Sequence, residues 1–344
     1  MVSPIKSYKN TFVILFITLI IIFLINISLG SVYIPLKQII LSFFDGNVEK
    51  EAWKSIILHY RLPKAITAII VGSGLSISGL LMQTLFRNPL AGPFVLGISS
   101  GASLGVAILI LGASFLGANI TSYAFTNWGQ ATAASIGAFL VLSAVILAAL
   151  KVRNTMSILI IGLMFGSLTS AVISVLAYFS SANQLQQYLF WSFGSLGNLS
   201  WKEILALLIV YFIGIVLVVL IIKPLNSLLL GENYAKSMGV NVKRTRNITL
   251  IATSLLTGVI TAFSGPIAFI GLAVPHLTKL LFTTSNHKTL LPAVAVSGAI
   301  IMLICDSISQ LPSSEYTLPI NAITSLFGAP IIIWLLVRKR KINY

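Results

Sequence analysis

From Thr11 to Leu29 the chain reads TFVILFITLIIIFLINISL, without one charged side chain. At about 1.5 Å of rise per residue, a helix of this run crosses the ~30 Å hydrocarbon layer of a bilayer. Similar runs follow at about 64–84, 94–114, 131–150, 156–179, 203–222, 247–265, 267–283, 290–309 and 320–337. A backbone in hydrocarbon must satisfy its own hydrogen bonds, and unbroken apolar runs of this length do so as helices. The pattern predicts an all-α polytopic membrane protein of about ten transmembrane helices, forming one transmembrane domain over 1–344. Only 8% of the residues are charged, against about 25% in a soluble domain. Lys6 and Lys9 before the first run, and Ser28-Leu29-Gly30-Ser31 after it, resemble a signal peptide. The apolar stretch is longer than a signal core, so the reading is a retained first helix. The polar segment Val32–Pro63 reads as an outer loop with one or more surface helices.

The net charge of +15 would raise nucleic acid as a partner in a soluble protein. Here the bases flank spans, and topology accounts for them without a nucleic acid. With both termini cytoplasmic, six bases fall outside (Lys37, Lys50, Lys54, Arg61, Lys64 and Lys202) and the other sixteen of the 22 fall inside. That bias is the one expected of cytoplasmic loops. All five Trp residues lie near predicted span ends, where an amphipathic ring is stable. The single cysteine, Cys305, excludes an internal disulfide and reads as a packing residue.

Several chemistries are absent. No Walker phosphate loop, GxSxG, HExxH or paired intramembrane carboxylate occurs. Intramembrane acids are costly and persist mainly for function. The only candidate is Asp306, read from its position as a helix-end residue in reach of water. His59, His276 and His287 sit near different span ends, which argues against a shared metal site; His276, after Pro275, reads as orienting a turn. This bare interior suits a pathway for a bulky solute driven by energy supplied elsewhere.

Two features carry function. The second span, GSGLSISGLLMQTLFRNPLAGP, is echoed by TGVITAFSGPIAFIGLAVPH in the other half. Matched broken helices mark transport pathways, although Gly72, Ser76 and Gly79 on one face read first as a close helix contact. The second feature is the basic stretch from Lys223 to Asn247. Its middle predicts a short helix in which Glu232 and Lys236 stand one turn apart and Tyr234 and Met238 share a face. Gly239 is placed to end it in a left-handed turn. An exposed helix carrying Tyr, Ala and Met is either a docking element for a cytoplasmic protein or a charged loop that sets topology.

Five stretches in order give the chain a family resemblance: RLPK (Arg61–Lys64), SGLLMQTLFRNPLAGPFVLGISSGA (Ser78–Ala102), GENYAKSMGV (Gly231–Val240), SGPIAFIGLAVPHLTK (Ser264–Lys279) and LPINAITSLFGAPIIIWLL (Leu318–Leu336). They resemble the FecCD-type permeases of bacterial ABC importers for ferric siderophores, haem and cobalamin. The resemblance implies a ten-helix permease of the bacterial inner (plasma) membrane, working with a second copy or a paralogue. It implies two cytoplasmic ABC ATPases, which bind the ATP and Mg so that this chain holds no cofactor, and an extracytoplasmic substrate-binding protein. It places Gly231, Glu232, Ala235, Lys236, Met238 and Gly239 at the ATPase, and Arg61 and Lys64 at the binding protein. Gln310 stands where relatives often carry Arg, and Glu315 shares that outer loop. The path candidates are Gln83, Asn88, Ser99, Ser100 and Gly101; Asn88-Pro89 also reads as a helix stop. The expected function is the non-enzymatic membrane subunit of an iron(III)–siderophore importer. The alternatives are the same machinery carrying haem or cobalamin, an ion-coupled secondary carrier, or a membrane scaffold.

Overall fold

The computed structural model describes residues 8–44, 49–113, 124, 126–150, 155–197, 199–310, 314 and 316–339. Among them, every expected apolar run holds a helix. In chain order these are α1 (Lys9–Ser28), α2 (Leu36–Phe43), α3 (Glu51–Ile56), α4 (Leu62–Phe86), α5 (Ile98–Leu111), α6 (Asn127–Leu150), α7 (Thr155–Tyr178) and α8 (Ala182–Ser192). They continue as α9 (Trp201–Leu220), α10 (Ile222–Leu229), α11 (Glu232–Ser237), α12 (Val242–Ser264), α13 (Ile270–Leu281), α14 (His287–Ser309) and α15 (Ile320–Lys339). Seven helical stretches are long and apolar enough to cross a membrane, one of them the continuous run Glu51–Phe86. Three shorter apolar helices, Ile98–Leu111, Ile270–Leu281 and Ile320–Trp334, occupy the remaining expected spans.

Two of these spans are shorter than expected because the chain breaks inside the apolar run. The expected 94–114 span begins as a 3-10 turn at Pro93–Leu96, and α5 starts only after Gly97 at φ 72°. The expected 267–283 span begins beyond a non-helical stretch, because α12 stops at Gly265 (φ 72°) and Pro266 follows. Phe269 then takes φ 66°, rare for a bulky residue, at the start of α13.

α4 is the centre of the bundle. Its best apolar window is 89% buried, and it packs against α12, α13 and α14. Small residues make this possible. A Cβ on Gly72 would stand 2.3 Å from the Gly298 carbonyl oxygen, and one on Gly298 would meet Gly72 equally closely. A Cβ on Gly79 would stand 1.5 Å from the Gly271 oxygen, so backbone lies on backbone where α4 crosses α13. The two echoing segments therefore pack on each other. By contrast α1 and α7 are 17% buried over their apolar windows and turn residues such as Ile14 and Leu168 outward, as lipid-facing helices must.

Residues assigned to one side from charge gather at one end of the bundle. Tyr8 reaches Thr283 there, and Arg87 reaches Leu228. At the other end Arg61 meets Ser28, Lys64 meets Asp306, and Trp201 donates to Leu58.

Candidate functional site

At the first end α11 is held by its neighbours rather than hanging free. Gly231, at φ 124°, turns the chain into it, and Glu232 gives its first turn the acid that suits a helix N-terminus. Gly239, at φ 79°, closes it in the left-handed turn that the sequence predicted. Tyr234 and Met238 are 51% and 58% exposed, and Lys236 is exposed beside them. Ala235 is turned the other way: it is fully buried against its own chain, not part of the exposed face.

Behind α11 lies a set of polar contacts that sequence reasoning missed. Arg87, at the left-handed C-cap of α4, donates to the Leu228 carbonyl at 3.0 Å and flanks Gly231. Asn226 of α10 donates to Asn286 at 2.9 Å, and its carbonyl oxygen accepts the His287 backbone N–H at 2.8 Å. The His287 ring, 1% exposed, meets Asn226 through Nδ1 and Thr84 of α4 through Nε2, each at 2.8 Å. The basic stretch Lys223–Asn247 is thereby tied to the end of α4 and the start of α14. A lone Asn in a basic loop and a lone His near a span end are the only signals of this in the sequence.

The opposite end reverses expectation. Arg61 does not reach out as a free charge. Its Nη1 donates to Ile27 (2.7 Å) and Ser28 (2.9 Å), and its Nη2 to Val32. It thus caps carbonyls left open at the C-terminus of α1. The Lys64 ammonium is 3.1 Å from Asp306 Oδ1, with the two side chains 19% and 1% exposed. Asp306 Oδ2 accepts Asn26 Nδ2 at 2.9 Å and Gln310 Nε2 at 2.8 Å. Asp306 is therefore a buried carboxylate with three donors, not a helix-end acid in open water. Position alone reads it as reaching water, because two of its partners, Asn26 on α1 and Lys64 on α4, lie far away in the chain. Gln310, at 8% exposure, supports this carboxylate from within α14's own last turn. Cavities of about 430 Å³ and 300 Å³ adjoin Lys64, the first also lined by Asp306 and Ser309, the second by Arg61 and Gln310. Glu315 lies outside the described residues.

The path candidates do not converge on one cavity. Gln83 is buried and donates to the Leu272 carbonyl at 3.2 Å. Asn88 accepts from Leu90 N–H in a turn after the α4 stop, and His276 meets the Pro89 carbonyl at 2.7 Å, orienting that turn as expected. Ser99 lies 3.5 Å from Thr261 of α12, Ser100 faces Gly166 of α7, and Gly101 packs on Gly137 of α6. His59 bonds within its own segment, to Ser55. Among the described residues no group of three metal-ligating side chains assembles.

The model of the FecCD transport family matches residues 18–338, nearly the whole chain. The chain belongs to this family. The vitamin B12 import system permease of Klebsiella pneumoniae is 35% identical over 323 residues, covering 94% of this chain and 92% of that one. The hemin transport system permease of Yersinia pestis is 34% identical over 325 residues, covering 93% and 94%. A solved structure assigned to the metal-chelate type of ABC transporter, in an inward-facing conformation, superposes with a TM-score of 0.84 at 28% identity, covering 96% of this chain and all of that one. This FecCD protein is a multi-pass permease of the ABC-importer type, a transport subunit of the bacterial inner membrane.

Proposed function

We propose that this chain is the membrane half of an ATP-driven importer of bulky metal chelates, with an iron(III)–siderophore as its cargo. The observation that carries the mechanism is α11, a short helix with exposed Tyr234 and Met238 whose buried side is tied into two spans. Two cytoplasmic ATPases, which hold the ATP and Mg, seat this helix. Their closure displaces α10 and α11 together. The Arg87, Asn226 and His287 contacts pass that displacement to α4 and α14, a rigid-body coupling of a kind common in switching proteins. The end with α11 then faces the cytoplasm, in line with its basic loops. A second copy or a paralogue completes the membrane unit. An extracytoplasmic binding protein delivers the chelate at the opposite end.

The second reading is the same machinery carrying haem or cobalamin, favoured by the names of the relatives from Yersinia pestis and Klebsiella pneumoniae. The test is accumulation of radiolabelled iron, offered as a panel of ferric siderophores and as haem, in cells with and without this chain, with labelled cobalamin in parallel. We expect loss of uptake for one siderophore class. Loss confined to haem or cobalamin moves the cargo to that compound. Uptake unchanged for every solute rejects the importer reading for this set.

A further inference from the structure

On the flank of the bundle, α6, α9 and α12 enclose a cleft of about 590 Å³, within the ~300–1,000 Å³ typical of ligand sites. Its floor is Ile98, Ser254 and Gly258, all buried, and its rim carries Phe139 and Ile251, 67% and 43% exposed. The hydroxyls of Ser135 and Ser254 donate to Ala131 and Leu250 of their own helices, which leaves Ser143 as the one other hydroxyl in an otherwise apolar lining. α6 and α12 run past each other, with Trp128 edge-on to Phe263 at 5.7 Å beyond one end of the cleft. The other end, at Ile146 and Ile251, lies toward the start of α12.

There the lining changes character. A hollow of about 280 Å³ is formed by Asn241, Lys243, Arg244, Asn247 and Ile248. Lys243 and Arg244 are exposed, and no acid stands in the first turn of α12. Arg244, Asn247, Ile251, Ser254 and Gly258 follow at steps of three or four residues, so one helical face joins the basic hollow to the apolar cleft. Arg244 lies roughly 10 Å along the axis from Ile251, and the cleft runs about 12 Å further, to Val259. A cation pair at the membrane surface above an apolar slot has the charge and length of one lipid molecule. We propose that this face of α12, with α6, binds an anionic phospholipid, with its phosphate on Lys243, Arg244 and Asn247 and one acyl chain in the cleft. A polar solute is disfavoured by the bonded hydroxyls, and a zwitterionic lipid leaves the two cations without a net countercharge.

The test uses the full-length chain purified in detergent, incubated with phosphatidylglycerol or phosphatidylcholine carrying a diazirine on the acyl chain, and read by mass spectrometry of labelled peptides. Phosphatidylglycerol is expected to label 139–146 and 251–259 well above phosphatidylcholine. The double variant K243Q/R244Q should lower that labelling about 30-fold, the worth of two cations beside an anionic headgroup. Gly258→Leu fills the floor, where an added Cβ meets only Ile98 at 3.9 Å. It should remove labelling of both segments by either lipid. Equal labelling of the wild type by both lipids overturns the proposal, because it marks ordinary surrounding lipid. Should K243Q/R244Q fail to fold, Gly258→Leu decides alone: labelling retained in that variant overturns the proposal.

Discussion

At the α11 end, Tyr234 and Met238 stand more than half exposed, while at the opposite end Asp306 and Gln310 are 1% and 8% exposed. Both ends carry polar or basic motifs, yet they use them differently. Behind α11 the contacts of Asn226, His287 and Arg87 are neutral or run to backbone, and they brace a helix that leaves Tyr234 and Met238 exposed. At the other end the two motif bases are turned inward, Arg61 onto α1 carbonyls and Lys64 onto Asp306. A motif base near a span end is thus no guide to a free surface charge. A charge with carbonyl or carboxylate partners in its own chain, as Arg61 and Lys64 have, is first of all a structural bond.

The inward-turned end is most vulnerable at Asp306. Asp306→Ala removes the buried partner of Lys64 and strands the donors of Asn26 and Gln310, which costs about 2–3 kcal/mol, below the range of a fully buried pair because Lys64 is partly exposed. Thermal unfolding of the purified protein should drop accordingly, and Lys64→Met added to Asp306→Leu should restore most of it. A single variant as stable as the wild type would mean that Lys64 points to solvent after all. Arg61→Gln comes next. Losing charged bonds to three carbonyls costs about 2 kcal/mol, seen as a lower melting temperature in detergent without any partner present. Unchanged stability together with weaker binding-protein capture would instead make Arg61 a contact residue. The smallest effect on stability is expected at Tyr234→Ser with Met238→Ser, less than about 0.5 kcal/mol because both sites are exposed. Transport in cells should nevertheless fall at least tenfold at equal membrane abundance. Full uptake by that double variant would remove α11 from energy coupling.

Much of this architecture is legible in the sequence, because apolar runs and helix length are local quantities. The ten helices, the packing role of Gly72 and Gly79, the Gly239 turn and the His276 contact all follow from spacing within a few residues. What is not legible depends on partners far apart in the chain. Asn26 and Asp306 are separated by 280 positions, and Asn226 and His287 by 61, so no periodicity relates them. Ala235 falls between these cases. The short helix was predictable, but its inward side depends on how α10 and α12 flank it. The two shortened spans mark a further limit: hydropathy averages over Gly97 and Gly265, where a positive φ interrupts the apolar run.

The continuous stretch Glu51–Phe86 has a mechanical consequence. It carries Lys64, the partner of Asp306, near one membrane surface, and Thr84, the partner of His287, near the other. Twenty residues of helix separate them, about 30 Å, and a hydrogen-bonded helix barely changes length. Where it crosses α14 and α13, at Gly72 and Gly79, this rod bears on glycine backbone. Such a bearing resists separation but offers few knobs to block sliding. A pull on Thr84 then arrives at Lys64 with little loss, so the two faces of the membrane are kept in step by one stiff element rather than by a relay of separate ones.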